Sequence, residues 1–297
     1  MAMRIDLTDR VAIVTGAGAG LGASHARALA ARGARVVVSD LNPDAAEAVC
    51  MQIRDAGGDA MAVGVSVTDG TGVEAMCEAT LARWGRIDIL VNNAGVLRDR
   101  TFAKMDLDDF RLVLDVHLMG SVNCTKAVWE TMRAQQYGRV IFTTSSSGLY
   151  GNFGQANYAA AKMGLIGLMQ TLALEGERYG IRVNCLAPSA ATGMTEGLYA
   201  PEVLARLGPE RVSPAVVVLA SEDAPTRSIL LAGAGSFEQA HITMTEGVYL
   251  GEGPTVADDL LQRLDAVANR DGETIPPRGE VQHQHEVDRL AAALAEV

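Results

Sequence analysis

The chain has 297 residues, 48% of them hydrophobic and 21% charged, enough to bury one large α/β core or two small ones and unlike the polar make-up of a disordered chain. A formal net charge of −11, with a sequence pI of about 4.9, repels phosphate backbones, so no nucleic-acid partner is expected. No apolar run approaches the roughly 20 residues that span a bilayer, and "MAMRIDLTDR" carries charges where a leader peptide has its apolar core, so no membrane association is expected.

In chain order, "RVAIVTGAG" is a continuous β-branched run ending in a glycine turn, and "LGASHARALAARG" continues with helical spacing that stops at Gly33. "ARVVVSD" is a second buried strand followed by the helix "DAAEAVCMQIRDAGG". "DAMAVGVSV" and "GTGVEAMCEATLARWG" repeat the pair, and "IDILVNNAG" is strand four. "FRLVLDVHLMGSVNCTKAVWETMRAQ" is one long helical stretch, "GRVIFTTSS" strand five, "YAAAKMGLIGLMQTLALEGERYG" a further long helix and "IRVNCLAP" strand six. Near-continuous apolar strands alternating with helices predict an α/β fold, a doubly wound parallel sheet of Rossmann type with helices on both faces, whose ligands collect at the carboxyl ends of the strands. The alternation fades after about residue 195, although "RSILLAGAG" reads as a seventh strand. The simplest division is a domain over 1–235 and a carboxyl-terminal extension over 236–297, which either covers the cleft or packs on a neighbouring subunit.

"TGAGAGLG", Thr15 to Gly22, joins the first strand to the first helix. Gly16, Gly20 and Gly22, with Leu21 between, suit a turn whose backbone approaches a pyrophosphate at a helix N-terminus. Asp40 ends strand two, where a carboxylate accepts from adenosine ribose hydroxyls and repels the extra phosphate of NADP. Ala19 adds no cation to the loop, so NAD is the expected cofactor. The plainer role for Asp40 is to cap the turn that follows it. Cys50, Cys77, Cys124 and Cys185 lie far apart and form no metal-type pair, so no metal is expected. They read as reduced thiols, and the expected compartment is the cytoplasm. The histidines at 25, 241, 283 and 285 show no ligand spacing.

Tyr158 and Lys162 are four residues apart at the mouth of a helix, on one face. Taken alone they are equally an amphipathic surface pair. Together with the glycine loop, "NNAG" at 92–95 and Ser145 thirteen residues before the tyrosine, they resemble the short-chain dehydrogenase/reductase family over about residues 8 to 235. The resemblance implies Ser145, Tyr158 and Lys162 as the catalytic group, with Tyr158 and Lys162 also touching the cofactor and Ser145 and Tyr158 the substrate. Asn93, Ala94 and Gly95 would border the adenine ribose, and Ala190 and Thr192 the carboxamide. Asn92 serves either the site or the core. "GVLRDRTFAKM", "DVHLMGS", "SSSGLYGNFGQANYAAAK" and "APSAATGMT" are similar to a subgroup, the (3R)-hydroxyacyl-CoA dehydrogenase units of peroxisomal multifunctional enzymes type 2. That subgroup also has histidine at the place of His117, where most of the family has asparagine, and Ser-Val at the place of Ser66 and Val67 beside the adenine. Ser189 after Pro188 departs from the usual glycine. His117 either relays protons or satisfies a carbonyl.

The chemistry this implies is NAD-dependent oxidation of a secondary hydroxyl, with an acyl-CoA thioester as substrate. A steroid or other bulky secondary alcohol is the alternative, and a cofactor-binding scaffold without turnover a third reading. A tyrosine base working at neutral pH needs its pKa lowered from about 10 by about 2 to 3 units, roughly 3 to 4 kcal/mol, and Lys162 is the expected perturber. Arg98, Arg100 and Lys104 are either contacts for CoA phosphates or a solvated basic cluster. A homodimer or homotetramer is expected from the resemblance.

Overall fold

The computed structural model describes residues 5–191 and 201–295. Eight strands form one sheet in the order β3-β2-β1-β4-β5-β6-β7-β8, and β1 to β7 are parallel neighbours. β1 (Val11–Thr15) pairs with β2 (Arg35–Asp40) on one side and β4 (Ile89–Asn92) on the other, so Val14 stands between Val38 and Val91. All five residues of β1 are buried, which explains why it reads as an unbroken apolar run rather than an alternating one. The strand order reverses between β1 and β4. At that switch point the two flanking loops diverge and open a crevice beyond the carboxyl ends of the strands.

The crossovers are helical. α1 (Gly20–Ala30) follows β1, α2 (Pro43–Asp55) follows β2, and α3 (Gly70–Trp84) follows β3 (Ala60–Gly64). Asn42 and Asp69 cap α2 and α3 through their side chains, the usual use of a short polar residue before a helix. The stretch after β4 reads in sequence as one long helix but has three parts. They are α4 (Leu107–Leu114), a π-helical turn over Asp115–Met119, and α5 (Gly120–Gln135). β5 (Gly138–Thr143) leads through a single turn, α6 (Ser146–Tyr150), to α7 (Ala156–Gly176), then β6 (Ile181–Ser189). α8 (Pro201–Leu204) and α9 (Ser213–Ala220) precede β7 (Ile229–Gly233). The apolar side of α1, α2 and α9 forms a continuous core with one face of the sheet.

β8 (Ser236–Ala240) was not evident in the sequence. Ala234 and Gly235 both have positive φ, 52° and 86°, the conformation of a two-residue hairpin turn, and it returns the chain along β7. The compact unit bearing the sheet runs to Gln239, and Ala240 onward forms a second unit. The second unit holds α10 (Val256–Gln262), α11 (Leu264–Val267) and α12 (Glu280–Ala295), with an antiparallel bridge between Met244 and Thr274. None of its described residues is fully buried.

Candidate active site

A cavity of about 450 Å³ lies at the switch point. One wall is the glycine loop. Gly16 and Gly20 have φ of 60° and 54°, and a Cβ on Gly16 would stand 2.7 Å from Ala94 Cα. A Cβ on Gly22 would stand 2.2 Å from Gly16 O and 2.6 Å from Asn93 Nδ2. The loop is therefore pressed against the end of β4 with no room for side chains, leaving its outer backbone and the N-terminus of α1 free to face a ligand. Asn93 pins it by donating from Nδ2 to the carbonyls of Thr15 (3.0 Å) and Gly16 (3.1 Å). Asp40, at the rim, accepts from the amides of Gly18 (2.8 Å) and Asn42 (2.9 Å). The turn-capping role is therefore filled, and lone pairs remain on both carboxylate oxygens.

The opposite wall carries Ser145, Tyr158 and Lys162. Ser145 lies two residues beyond β5 as the cap of α6, where its oxygen accepts from the Ser147 amide at 3.1 Å. Of its neighbours, Ser146 is exposed and Ser147 donates to Gln155 Oε1 at 2.8 Å. α7 presents Tyr158 and, one turn on, Lys162, whose ammonium lies 5.4 Å from the Tyr158 ring centroid and donates to Thr143 O at 2.5 Å. A Cβ on Gly148 would come within 2.8 Å of Lys162 Cβ, so the small residue in α6 lets α7 pack closely against α6. His117 sits in the π-helical turn, 5.1 Å from Tyr158 in an edge-on arrangement. π-helical turns of this kind are common at functional sites.

Burial dominates the electrostatics. It pushes the Lys162 ammonium down to about 7 and His117, with Lys162 adding to the effect, down to about 3. His117 is therefore neutral at physiological pH. Its Nε2 lies 2.7 Å from Val96 O and 3.0 Å from Val96 N, and its buried Nδ1 has no partner among the described residues. Burial also raises the Tyr158 phenol. Its hydrogen bond with Ser145 works in the lowering direction, and the Asp99 charge raises it further. The lowered tyrosine expected from Lys162 is thus not what the protein's own groups produce: desolvation outweighs the Ser145 hydrogen bond, and a lysine near 7 is largely neutral before the phenol titrates.

Residues 10–202 match the short chain dehydrogenase family. The chain belongs to the short-chain dehydrogenases. It is therefore an oxidoreductase acting on CH–OH groups. Among its relatives, the peroxisomal hydratase-dehydrogenase-epimerase of Saccharomyces cerevisiae is 45% identical over 260 residues, covering 84% of this chain and 29% of that protein. The peroxisomal multifunctional enzyme type 2 of Drosophila melanogaster is 47% identical over 251 residues, covering 81% and 42%. The solved full-length structure of the latter superposes with a TM-score of 0.82 over 98% of this chain and 51% of that one, at 37% identity. This short-chain dehydrogenase thus spans about half or less of the length of either relative. A 7α-hydroxysteroid dehydrogenase, solved with NADH and 7-oxo glycochenodeoxycholic acid, aligns with a TM-score of 0.73 at 31% identity, covering 78% and 95%.

Of the residues singled out in the sequence of this short-chain dehydrogenase, Gly16, Gly20, Leu21, Gly22, Asp40, Asn93, Ala94, Gly95, His117, Ser145, Tyr158, Lys162 and Ala190 line one cavity. Ser66 and Val67 do not line it. Ser66 faces a separate groove beside Leu41 and bonds Thr68, and the Val67 carbonyl accepts from Asn123. Thr192 lies outside the described residues. Asn92 turns inward and donates to Thr125 Oγ1 at 3.1 Å. Arg98 is paired with Asp109 at 3.4 Å. Pro188 and Ser189, noted in the sequence for their departure from the usual glycine, line it too, and the cavity adds Leu97, Thr143, Gln155 and Leu207. The apolar ones carry no sequence signal, and Gln155 reads simply as a polar residue before a helix.

Proposed function

We propose that the protein oxidises (3R)-3-hydroxyacyl-CoA thioesters to 3-ketoacyl-CoA with NAD. The observation that carries this reading is that Ser145, Tyr158 and Lys162 share one cavity with the glycine loop and Asp40. The loop fits the dinucleotide, because its glycines leave backbone where side chains would otherwise stand and Asp40 keeps free lone pairs at the rim. Bound there, NAD would supply the hydride acceptor. Ser145 donates to the substrate oxygen and orients it. Tyr158 takes the hydroxyl proton, and in the reverse direction returns it to the forming alkoxide. Lys162, when protonated, favours the phenolate and offers donors to the nicotinamide ribose. His117, neutral and packed edge-on against the tyrosine, is assigned to holding that ring and the end of β4 in place.

The likeness to the peroxisomal multifunctional enzymes, the subgroup whose motifs the sequence resembles, supports the acyl-CoA assignment, and the likeness to a hydroxysteroid dehydrogenase supports a bulky secondary alcohol as the second reading. Leu112, Met119, Met163 and Leu174 are exposed along α4, the π-helical turn and α7, which supports a homodimer or homotetramer. The four buried free cysteines support a reducing compartment such as the cytoplasm. Parallel assays of a 3-hydroxyacyl-CoA and a free steroid alcohol with NAD separate the two substrate readings. Turnover of the steroid alone removes the first.

A further inference from the structure

Gln155, immediately before α7, has hydrogen-bonding capacity that the chemistry above does not use. It is 7% exposed and lines the cavity with Ser145 and Tyr158. Its Oε1 accepts from Ser147 Oγ at 2.8 Å and from Asn152 Nδ2 at 3.0 Å, and its Nε2 donates to Asp99 Oδ2 at 2.6 Å. A carboxylate can only accept, so Asp99 dictates which end of the amide is nitrogen. Both lone pairs of Oε1 are then committed, and so is one of the two N–H groups. The second N–H has no acceptor among the described residues, and a donor so enclosed calls for one.

We propose that Gln155 is a specificity-determining residue whose second N–H donates to the carbonyl oxygen of a β-hydroxycarbonyl substrate. The inference rests on the acyl-thioester reading above and deepens it. Ser145 holds the oxygen that reacts, and Gln155 holds the oxygen at the neighbouring carbonyl. Two fixed points select one face of the carbinol. A simple secondary alcohol of similar size leaves the buried N–H unmet and is disfavoured for that reason. Asp99 acts through Gln155 as a positioning residue, because its charge sets the amide's orientation.

The test compares a 3-hydroxyacyl-CoA thioester with the matching thioether, in which a methylene replaces the carbonyl. The wild type is expected to favour the thioester in kcat/KM by about tenfold or more. Gln155→Leu is expected to lose about tenfold on the thioester and stay within about threefold on the thioether. Asp99→Asn, at an exposed position, is expected to lose part of the same preference, and it carries the comparison if the leucine variant fails to fold. Equal losses on both substrates, or a wild type indifferent to the carbonyl, overturn the role of Gln155 and leave the acyl-thioester reading standing. A wild type that turns over neither compound with NAD overturns both.

Discussion

Replacing Lys162 by methionine should make the protein more stable and inactive. The side chain is 2% exposed, and burial lowers its pKa from 10.5 to about 7. Between those values the unfolded chain holds a proton that the folded protein does not, so stability rises with pH across that window and is lowest below it. At pH 7 the lowered value corresponds to a cost of roughly 4 kcal/mol. Methionine has similar length and no charge. It forfeits the hydrogen bond to Thr143 O, a loss of about 1 to 2 kcal/mol, so a net gain of roughly 2 kcal/mol remains. From pH 6 to pH 9 this one lysine should add roughly 2 to 3 kcal/mol to wild-type stability, an increment the variant lacks. Urea unfolding followed by circular dichroism, without added cofactor, measures both quantities. A Lys162→Met protein that is less stable at pH 7, or that keeps the wild-type slope with pH, refutes the reasoning.

Three further outcomes follow from the same geometry. Tyr158→Phe keeps the ring against His117 but removes the hydroxyl, so kcat should fall by about 10² to 10⁴ while NAD affinity by fluorescence titration stays within about threefold. Gly22→Ala places a methyl 2.2 Å from Gly16 O and should weaken NAD binding about tenfold or more, read by calorimetry, with a lower melting temperature. Because Tyr158 is raised, alcohol oxidation should climb with pH through the neutral range into the alkaline, and ketone reduction should be favoured towards lower pH. An oxidation rate already at its plateau below pH 7 would contradict the burial argument.

The sheet and the cofactor loop were legible in the sequence because both rest on strong local signals. Strands buried on both faces give unbroken apolar runs, and the loop needs glycine at positions of positive φ or backbone contact. Ser145, Tyr158 and Lys162 were legible through their spacing, since one strand end and one helix turn set their distances. β8 was hidden because "SFEQA" is almost wholly exposed and so lacks any burial pattern. The π-helical turn at Asp115–Met119 was hidden because one irregular turn barely changes the helical period, although it decides where His117 points. Ser66 and Val67 were placed by likeness alone; Ser66 bonds Thr68 and Val67 packs against Gly120. The direction of the Tyr158 shift was misjudged because helix spacing reveals the nearby lysine and says nothing of how deeply both groups are buried.

The most direct test of the central claim is NADH formation at 340 nm when the purified protein meets NAD and a racemic 3-hydroxyacyl-CoA, with the ketone product trapped. The expected result is turnover that stops near half conversion, is far weaker with NADP, and disappears in Tyr158→Phe. Consumption of both enantiomers, or silence on the thioester with turnover of a free steroid alcohol, would contradict the account.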